Sequence, residues 1–278
     1  MEFQRNWIGL HKPKSIQIDQ KNKSETYGKF ICQPLEKGYG LTIGNSLRRI
    51  LLSSIQGPAI TKVKIDGVQH EFSTITGIKE DVTEIILNLK KLNLKMSTYE
   101  PQVIRLSYEG EGEVTAKDIE VNQNIEIVNE HQFIATLSEG AKIDIEMTVE
   151  MGRGYVTTES RDDNSHSIGD ILLDAIFSPV VKVNYNVTAA RVGRRTDYER
   201  LTLEVWTNGT VLPEDSVAFA AKILKDQMTV FVNFDEEEVD SIPIVEEEND
   251  EIIGLIDWEY AAIGDPMSDI AVASLIKV

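Results

Sequence analysis

The first candidate site in this sequence is a glycine-rich stretch at residues 38–44, GYGLTIG, whose backbone could bind a ligand. Closely spaced glycines can cradle a phosphate, because backbone N–H groups then approach it without side chains in the way. The spacing fits neither GxGxxG nor the phosphate loop that ends in Gly-Lys-Ser/Thr. We therefore interpret the glycines as residues that let the chain turn tightly and let a helix pack closely.

Side chains suited to metal binding or nucleophilic catalysis are scattered along the chain. The histidines at 11, 70, 131 and 166 show no paired spacing, and Cys32 is the single cysteine. No GxSxG nucleophile motif occurs, and no pair of acidic residues is marked for acid–base work. We expect a body without a catalytic residue, metal site or cofactor of its own, and we interpret Cys32 as a buried or half-buried thiol.

Two adjacent arginines, Arg48 and Arg49, interrupt a run of apolar residues at helical spacing. The apolar residues are Ile43, Leu47, Ile50, Leu51 and Leu52. Such a helix could meet partners on more than one face. A guanidinium can anchor an interface through fixed donors and a long apolar stem, or it can simply be solvated. The residues alone favour surface charge for the arginines and an ordinary core for the stripe.

The elements around the arginines are a mixture of helices and strands. The arginine helix should end before Gly57-Pro58, and Thr42 is a candidate cap at its start. Residues 15–35 alternate loosely and predict strands, and residues 59–72 alternate around a predicted hairpin turn at Asp66-Gly67.

The rest of the body continues the mixed pattern. Helical spacing predicts a helix over 79–92, and short β-like runs recur from 93 to 157. Residues 181–206 contain two strand patterns around Arg191–Tyr198, and a turn follows at Asn208-Gly209. Pro213 then opens a helix. Its apolar stripe consists of Val217, Ala220, Ala221, Leu224, Met228 and Phe231.

Charge and cysteine usage narrow the class of protein. The net charge of the 278 residues is −18, but residues 235–278 hold 14 acidic residues and one lysine. The body is therefore only weakly acidic, and it has no basic field that would draw it to nucleic acid. One cysteine suits a reducing cytoplasm. No signal peptide and no apolar run of about 20 residues is found, so we expect no membrane partner.

Residues 35–54, LEKGYGLTIGNSLRRILLSS, closely resemble the start of the bacterial RNA polymerase alpha subunit family. Further segments recur in the family's order over most of the chain, up to about residue 234. They are DGVQHEFST at 66–74, KEDVTEIILNLK at 79–90, GRGY at 152–155, SPV at 178–180, YNVTAARV at 185–192, RTD at 195–197 and TNGT at 207–210. The recurrence of so many segments in one order makes a chance similarity very improbable.

The resemblance implies an α+β fold of two subdomains. Residues 1–56 and 181–234 would form a discontinuous dimerisation subdomain with long helices on a sheet. Residues 57–180 would form an inserted, mostly β subdomain. This discontinuity follows from the family comparison and not from composition.

The resemblance also implies roles for particular residues. Dimerisation would involve residues of both long helices, namely Tyr39, Ile43, Leu47, Ile50, Leu224, Met228 and Phe231. Binding of the beta and beta-prime subunits would involve Arg48, Arg49, Leu52, Lys90, Arg191, Arg194 and Arg195. Arg49 matches the family position that holds beta, Lys90 matches a residue near the large-subunit contacts, and the three later arginines match the region that faces beta-prime.

The C-terminal end departs from the family. Residues 235–251 are strongly acidic and predict a disordered linker. The family would continue into a small domain that touches promoter DNA and activators, which we do not recognise in this sequence. Residues 254–271, GLIDWEYAAIGDPMSDIA, instead resemble the metal-binding segment of choline and aminoglycoside kinases, where the residue matching Asp257 holds magnesium. Residues 252–278 are too few to build a kinase active site, so we expect a fragment and no complete domain.

The sequence as a whole predicts a cytoplasmic, homodimeric assembly scaffold for a DNA-directed RNA polymerase. The dimer would recruit beta and beta-prime, which carry the chemistry, and it would meet DNA only through the assembled enzyme. Two alternatives remain at this point. One is a small-molecule kinase represented by the tail, and the other is a stand-alone dimeric binding module.

Overall fold

The computed structural model of this chain describes residues 15–160, 169–192 and 195–232, together with Leu10 and Pro13. The described residues combine helices with antiparallel sheets, which confirms the predicted α+β class. All of them except Val232 belong to one compact unit that ends at Phe231. The acidic segment 235–251 and the kinase-like segment 252–278 lie outside the described residues, so nothing in the structure bears on either prediction.

Three α-helices lie in the described residues, and each has a local cause. They are α1 at Tyr39–Ser53, α2 at Val82–Leu89 and α3 at Pro213–Thr229. Asp81 caps α2, because its carboxylate accepts the Glu84 N–H at 2.7 Å. Pro213 opens α3 as predicted, since a first-turn residue needs no N–H donor. The 3₁₀ turns Ala116–Asp118 and Thr158–Ser160 are short connectors.

Fifteen β-strands account for most of the remaining described residues. Their bounds are Ile16–Ile18 (β1), Tyr27–Leu35 (β2), Gln56–Ile65 (β3), Leu94–Met96 (β4), Gln102–Glu109 (β5), Gly112–Thr115 (β6), Ile119–Glu120 (β7), Ile125–Ile127 (β8), Phe133–Leu137 (β9), Lys142–Arg153 (β10), Tyr155–Val156 (β11), Asp170–Leu172 (β12), Ala175–Ile176 (β13), Val180–Val192 (β14) and Arg195–Thr207 (β15).

The first sheet carries the two long helices. Its strand order is β1-β2-β15-β14, all pairs are antiparallel, and β14 is an edge strand. Leu201, Leu203 and Val205 alternate along β15 and are buried, since one face of the sheet is covered and the other meets solvent. They join a core that also takes residues from α1 and α3, including Leu51 and Val217.

The second sheet builds a separate core. Its order is β12-β3-β10-β5-β7, and α2 lies against the same core. Val82, Ile85, Ile86 and Leu89 of α2 are buried, at the i, i+3, i+4 and i+7 spacing that forms one helix face. This core draws its buried residues from 60–173, whereas the first core draws them from 30–55 and 180–220.

Two local predictions are wrong. Thr42 does not cap α1, because it lies inside the first turn, where its hydroxyl donates to the Gly38 carbonyl oxygen at 3.1 Å. Asp66-Gly67 does form a turn, with Gly67 at a φ of 75°, but no hairpin follows. The strand before this turn, β3, pairs with the distant strands β10 and β12.

Candidate functional site

Helix α1 packs closely on the first sheet at two residues that have no side chain. Gly40 and Gly44 are buried against β14 and β15. A Cβ added to Gly44 would lie 2.7 Å from Cδ2 of Tyr185 and 2.9 Å from Cδ1 of Leu201. Atoms that close would force the helix or its neighbours to shift. The structure therefore supports close helix packing as the role of these glycines.

The start of α1 is held by a carboxylate from β15. Glu199 accepts the Gly38 N–H through Oε1 at 2.9 Å and the Gly40 N–H through Oε2 at 2.9 Å. Gly38 is the residue before the helix and has a φ of 89°. Sequence reasoning missed Glu199, because the contact joins residues 161 positions apart.

The predicted dimer residues of α1 differ in how much surface they offer. Tyr39 is exposed, and Ile43 and Ile50 are half-buried against the first core. Leu47 is only 9% exposed, so most of its side chain already belongs to the chain's own core. Leu41, which is not among the predicted dimer residues, is 60% exposed.

The predicted dimer residues of α3 lie mainly on its exposed side. Leu224 is half-buried against the first core, whereas Met228 is 55% exposed and Phe231, just beyond the helix, is 77% exposed. Phe219 is also 53% exposed, and it was missed because it falls outside the 3, 4 and 7 spacing of the stripe. Together α1 and α3, which pack on each other, leave large apolar side chains in solvent.

Arg48 and Arg49 are both exposed but have different surroundings. Arg48 lines a shallow groove with Asn184 and Asn186 of the edge strand β14 and with Glu204 of β15. Arg49 shares a helix face with the exposed Leu52, three residues later. Within the described part of the chain, neither guanidinium has a hydrogen bond or ion pair. Both are therefore available to a partner.

Lys90 lies at the C-terminal end of α2 and is exposed beside a second groove. The groove has a volume of about 240 Å³ and is also lined by Tyr155, Asp174 and Ile176. Tyr155 and Ile176 face each other across the short β11–β13 pair, and both are exposed. Val181 on β14 lines the same groove and is exposed as well. In this groove Lys90 therefore lies near apolar side chains that are exposed to solvent.

Asp174 organises one wall of this groove. Its carboxylate accepts the Thr158 N–H at 2.8 Å and the Tyr155 hydroxyl at 3.0 Å. These two bonds, in that order, hold the pKa of Asp174 below its usual value, and the charge of Lys90 adds to the effect. The hydrogen bond between the Tyr155 hydroxyl and Asp174 also raises the pKa of the Tyr155 phenol. The ionised Asp174 therefore ties residues 155–158 together next to Lys90.

Two of the other predicted contacts with the large subunits, Arg191 and Arg195, lie at the far end of β14. Arg191 is exposed near the end of that strand, and Arg195 begins β15, paired with Val192. Arg194 lies outside the described residues, as does the side chain of Arg195. Val181, beside Lys90, is ten residues from Arg191, which is about 33 Å along a strand. The structure therefore brings Arg191 and Arg195 together but not with Lys90.

No metal centre is found among the described residues, where no three His, Cys, Asp or Glu side chains cluster. Cys32 is half-buried, and burial raises the pKa of its thiol. No helix in the described ranges is long and apolar enough to cross a membrane.

The family model and the three relatives described here are all RNA polymerase proteins. The sequence model of the RNA polymerase Rpb3/RpoA insert domain matches residues 63–178. The DNA-directed RNA polymerase subunit alpha of Geobacter metallireducens is 54% identical over 233 residues, which cover 84% of this chain and 68% of that protein. The subunit alpha of Maridesulfovibrio salexigens is 56% identical over 234 residues, covering 84% and 67%. That of Pelobacter propionicus is 47% identical over 273 residues, covering 98% and 80%.

Proposed function

This chain belongs to the DNA-directed RNA polymerase alpha subunit family, and we propose that it is the homodimeric assembly subunit of a bacterial polymerase. Two copies associate first, and the dimer then recruits the beta and beta-prime subunits. The nucleotidyl transfer reaction belongs to those large subunits. The chain acts in the cytoplasm and meets DNA only through the assembled enzyme.

One observation carries the proposal: the helices that the resemblance assigns to the dimer leave apolar surface exposed. Tyr39 and Leu41 of α1, and Phe219, Met228 and Phe231 in and after α3, all have exposed side chains. Large apolar groups on one pair of packed helices are typical of a surface that another protein covers. A second copy of the chain would bring an equivalent pair of helices to this surface.

The division into subdomains is part of the proposal. Residues 1–56 and 181–234 form the dimerisation subdomain, and residues 57–180 form the inserted one. The two separate hydrophobic cores support this division, because each subdomain then buries its own apolar residues.

The proposed contacts with the large subunits involve exposed residues other than the proposed dimer residues. Arg49 and Leu52 offer a guanidinium beside an apolar side chain on α1, and Arg48 lies over the edge of β14. Lys90 and the arginine pair at 191 and 195 lie at opposite ends of β14, so we propose one long contact surface along that strand. Arginine suits such interfaces because its planar donors bind fixed acceptors.

Co-purification tests the proposal directly. A tagged copy of the chain is expressed with beta and beta-prime, and the proposal expects both large subunits to be retained at high salt. A tagged Met228→Glu variant, which should not dimerise, serves as the comparison and should retain much less beta and beta-prime. A wild-type chain that is recovered without either large subunit would point to a stand-alone dimeric module instead.

A further inference from the structure

The N-terminus of α1 has no cap in its own sequence. The capping position is Gly38, which has no side chain, and the first turn contains no acidic residue. The first N–H groups of a helix need acceptors from elsewhere, and a negative charge there is favoured by the helix dipole. The Tyr39 N–H is accepted by the Glu36 carbonyl oxygen at 3.1 Å. Glu199 of β15 supplies the negative charge and two further acceptors, since its carboxylate oxygens accept the N–H groups of Gly38 and Gly40, each at 2.9 Å.

The sheet brings Glu199 to this place. In the ladder between β15 and β2, Glu199 pairs with Leu35, the last residue of β2. The chain leaves Leu35 and reaches Gly38 within three residues, so the helix starts beside the strand position that faces the end of β2. The β15–β2 ladder shifts its register between Glu199 and Leu201, but the β15–β14 ladder is regular there. Glu199 therefore keeps the alternation of Leu201 and Leu203, which places its side chain on the sheet face that α1 covers.

Gly40 leaves room for this carboxylate because it has no side chain. A Cβ at position 40 would lie 2.9 Å from Oε2 of Glu199 and 2.9 Å from Cγ1 of Val187. The carboxylate therefore occupies space that a side chain at residue 40 would take. Glu199 and Gly40 form one fitted contact between β15 and the first turn of α1.

We propose that Glu199 is a positioning residue that fixes the first turn of α1 and thereby orients Tyr39 and Leu41 for contact with the second copy. This inference rests on the proposed function, since it assumes that α1 contributes to a dimer. Arg49 lies more than two helical turns further along, where the packing of Leu47 and Leu51 also holds the helix. Loss of Glu199 should weaken the dimer more than it weakens the grip of Arg49 on beta.

The test compares Glu199→Ala and the shape-matched Glu199→Gln with Glu126→Gln, a charge-matched control at the exposed position of strand β8. Hydrogen-exchange mass spectrometry over residues 36–42 reports on the contact, and sedimentation equilibrium reports on the dimer. Glu199→Ala should speed exchange in this segment about tenfold or more, because two charge-assisted bonds are lost. Its dimer dissociation constant should rise about tenfold, Glu199→Gln should fall between Ala and wild type, and Glu126→Gln should change neither quantity.

The two readouts separate the ways in which the inference can fail. A dimeric wild type whose dissociation constant is unchanged by Glu199→Ala would overturn this inference alone. Unchanged exchange over residues 36–42 would overturn it as well, because the contact would then not hold the turn. A wild-type chain that stays monomeric would overturn the proposed function together with it. If Glu199→Ala fails to fold, Glu199→Gln gives the same comparison with the shape of the side chain preserved.

Discussion

Arg48 and Arg49 are neighbours in sequence, yet they point in directions about 100° apart around α1. Arg48 reaches the edge of β14, where Asn184, Asn186 and Glu204 line a groove with it. Arg49 shares its face with Leu52, away from that groove. A partner that binds Arg49 therefore approaches a different side of the helix from one that binds Arg48, and the two substitutions should have separable effects.

At the scale of single residues, Arg49→Ala should leave the dimer intact and weaken capture of beta. Arg49 is exposed and supports no described contact within the chain, so its removal should not disturb the fold. Truncating an interface anchor costs about 2–4 kcal/mol. A pull-down of beta with unchanged dimer mass measures this effect.

Arg105→Ala is the matched control for Arg49→Ala. Arg105 is an exposed arginine of the second sheet, paired with Glu146 at 2.9 Å. Its loss should leave beta recovery unchanged. Equal recovery of beta by the Arg49 variant and by wild type would show that this arginine is only solvated.

Asp174 gives a prediction about pH. Its pKa is lowered from 3.8 in the folded chain, so its bonds stabilise the fold above that value and this contribution is lost as the pH falls through the folded-state pKa. In urea unfolding at pH 7, Asp174→Asn should therefore be less stable than wild type, and the difference should shrink below pH 3.8. Asp66→Asn, on an exposed turn, is the control. If the stability difference between Asp174→Asn and wild type persists undiminished below pH 3.8, the stabilising role assigned to the ionised Asp174 is wrong.

At the scale of elements, the packing of α1 depends on Gly44. The ring of Tyr185 and the side chain of Leu201 occupy the space that a Cβ would need. Gly44→Ala should lower the free energy of unfolding, since overpacking costs about 1–3 kcal/mol and better helix propensity returns only about 0.5–1 kcal/mol. Urea unfolding measures the change.

Asn45→Ala is the control on the same helix. Asn45 is exposed, so alanine gains helix propensity there without meeting a neighbour. It should be neutral or slightly stabilising. If Gly44→Ala proves as stable as Asn45→Ala, the close approach of α1 to the sheet does not restrict the side chain at position 44.

Sequence patterns predicted the elements better than their contacts. All three helices were foreseen, because their apolar residues recur at helical spacing and Pro213 and Gly57-Pro58 mark boundaries. The strand pairings were not, since β3 joins β10 across 80 to 97 residues and no local pattern reports such a partner. The contact of Glu199 with α1 and the groove around Asp174 were missed for the same reason.

At the scale of the whole molecule, Met228→Glu should break the dimer. Met228 is more exposed than Leu224 or Ile50, which also pack on the chain's own core, so a charge at 228 should affect association without unfolding the chain. Burying an unpaired charge in the interface should raise the dissociation constant about thirtyfold or more.

Gln227→Glu is the control for Met228→Glu, because it adds the same charge to the adjacent exposed position on another side of α3. Sedimentation equilibrium should find it dimeric. A Met228→Glu variant that remains as dimeric as Gln227→Glu would show that the dimer interface does not include this part of α3.

The mass of the assembly reconstituted from this chain with beta and beta-prime tests the central claim most directly. Native mass spectrometry resolves how many copies of each subunit the complex holds. The account predicts a complex that contains two copies of this chain together with both large subunits. A complex with a single copy, or a dimer that binds neither large subunit, would contradict it.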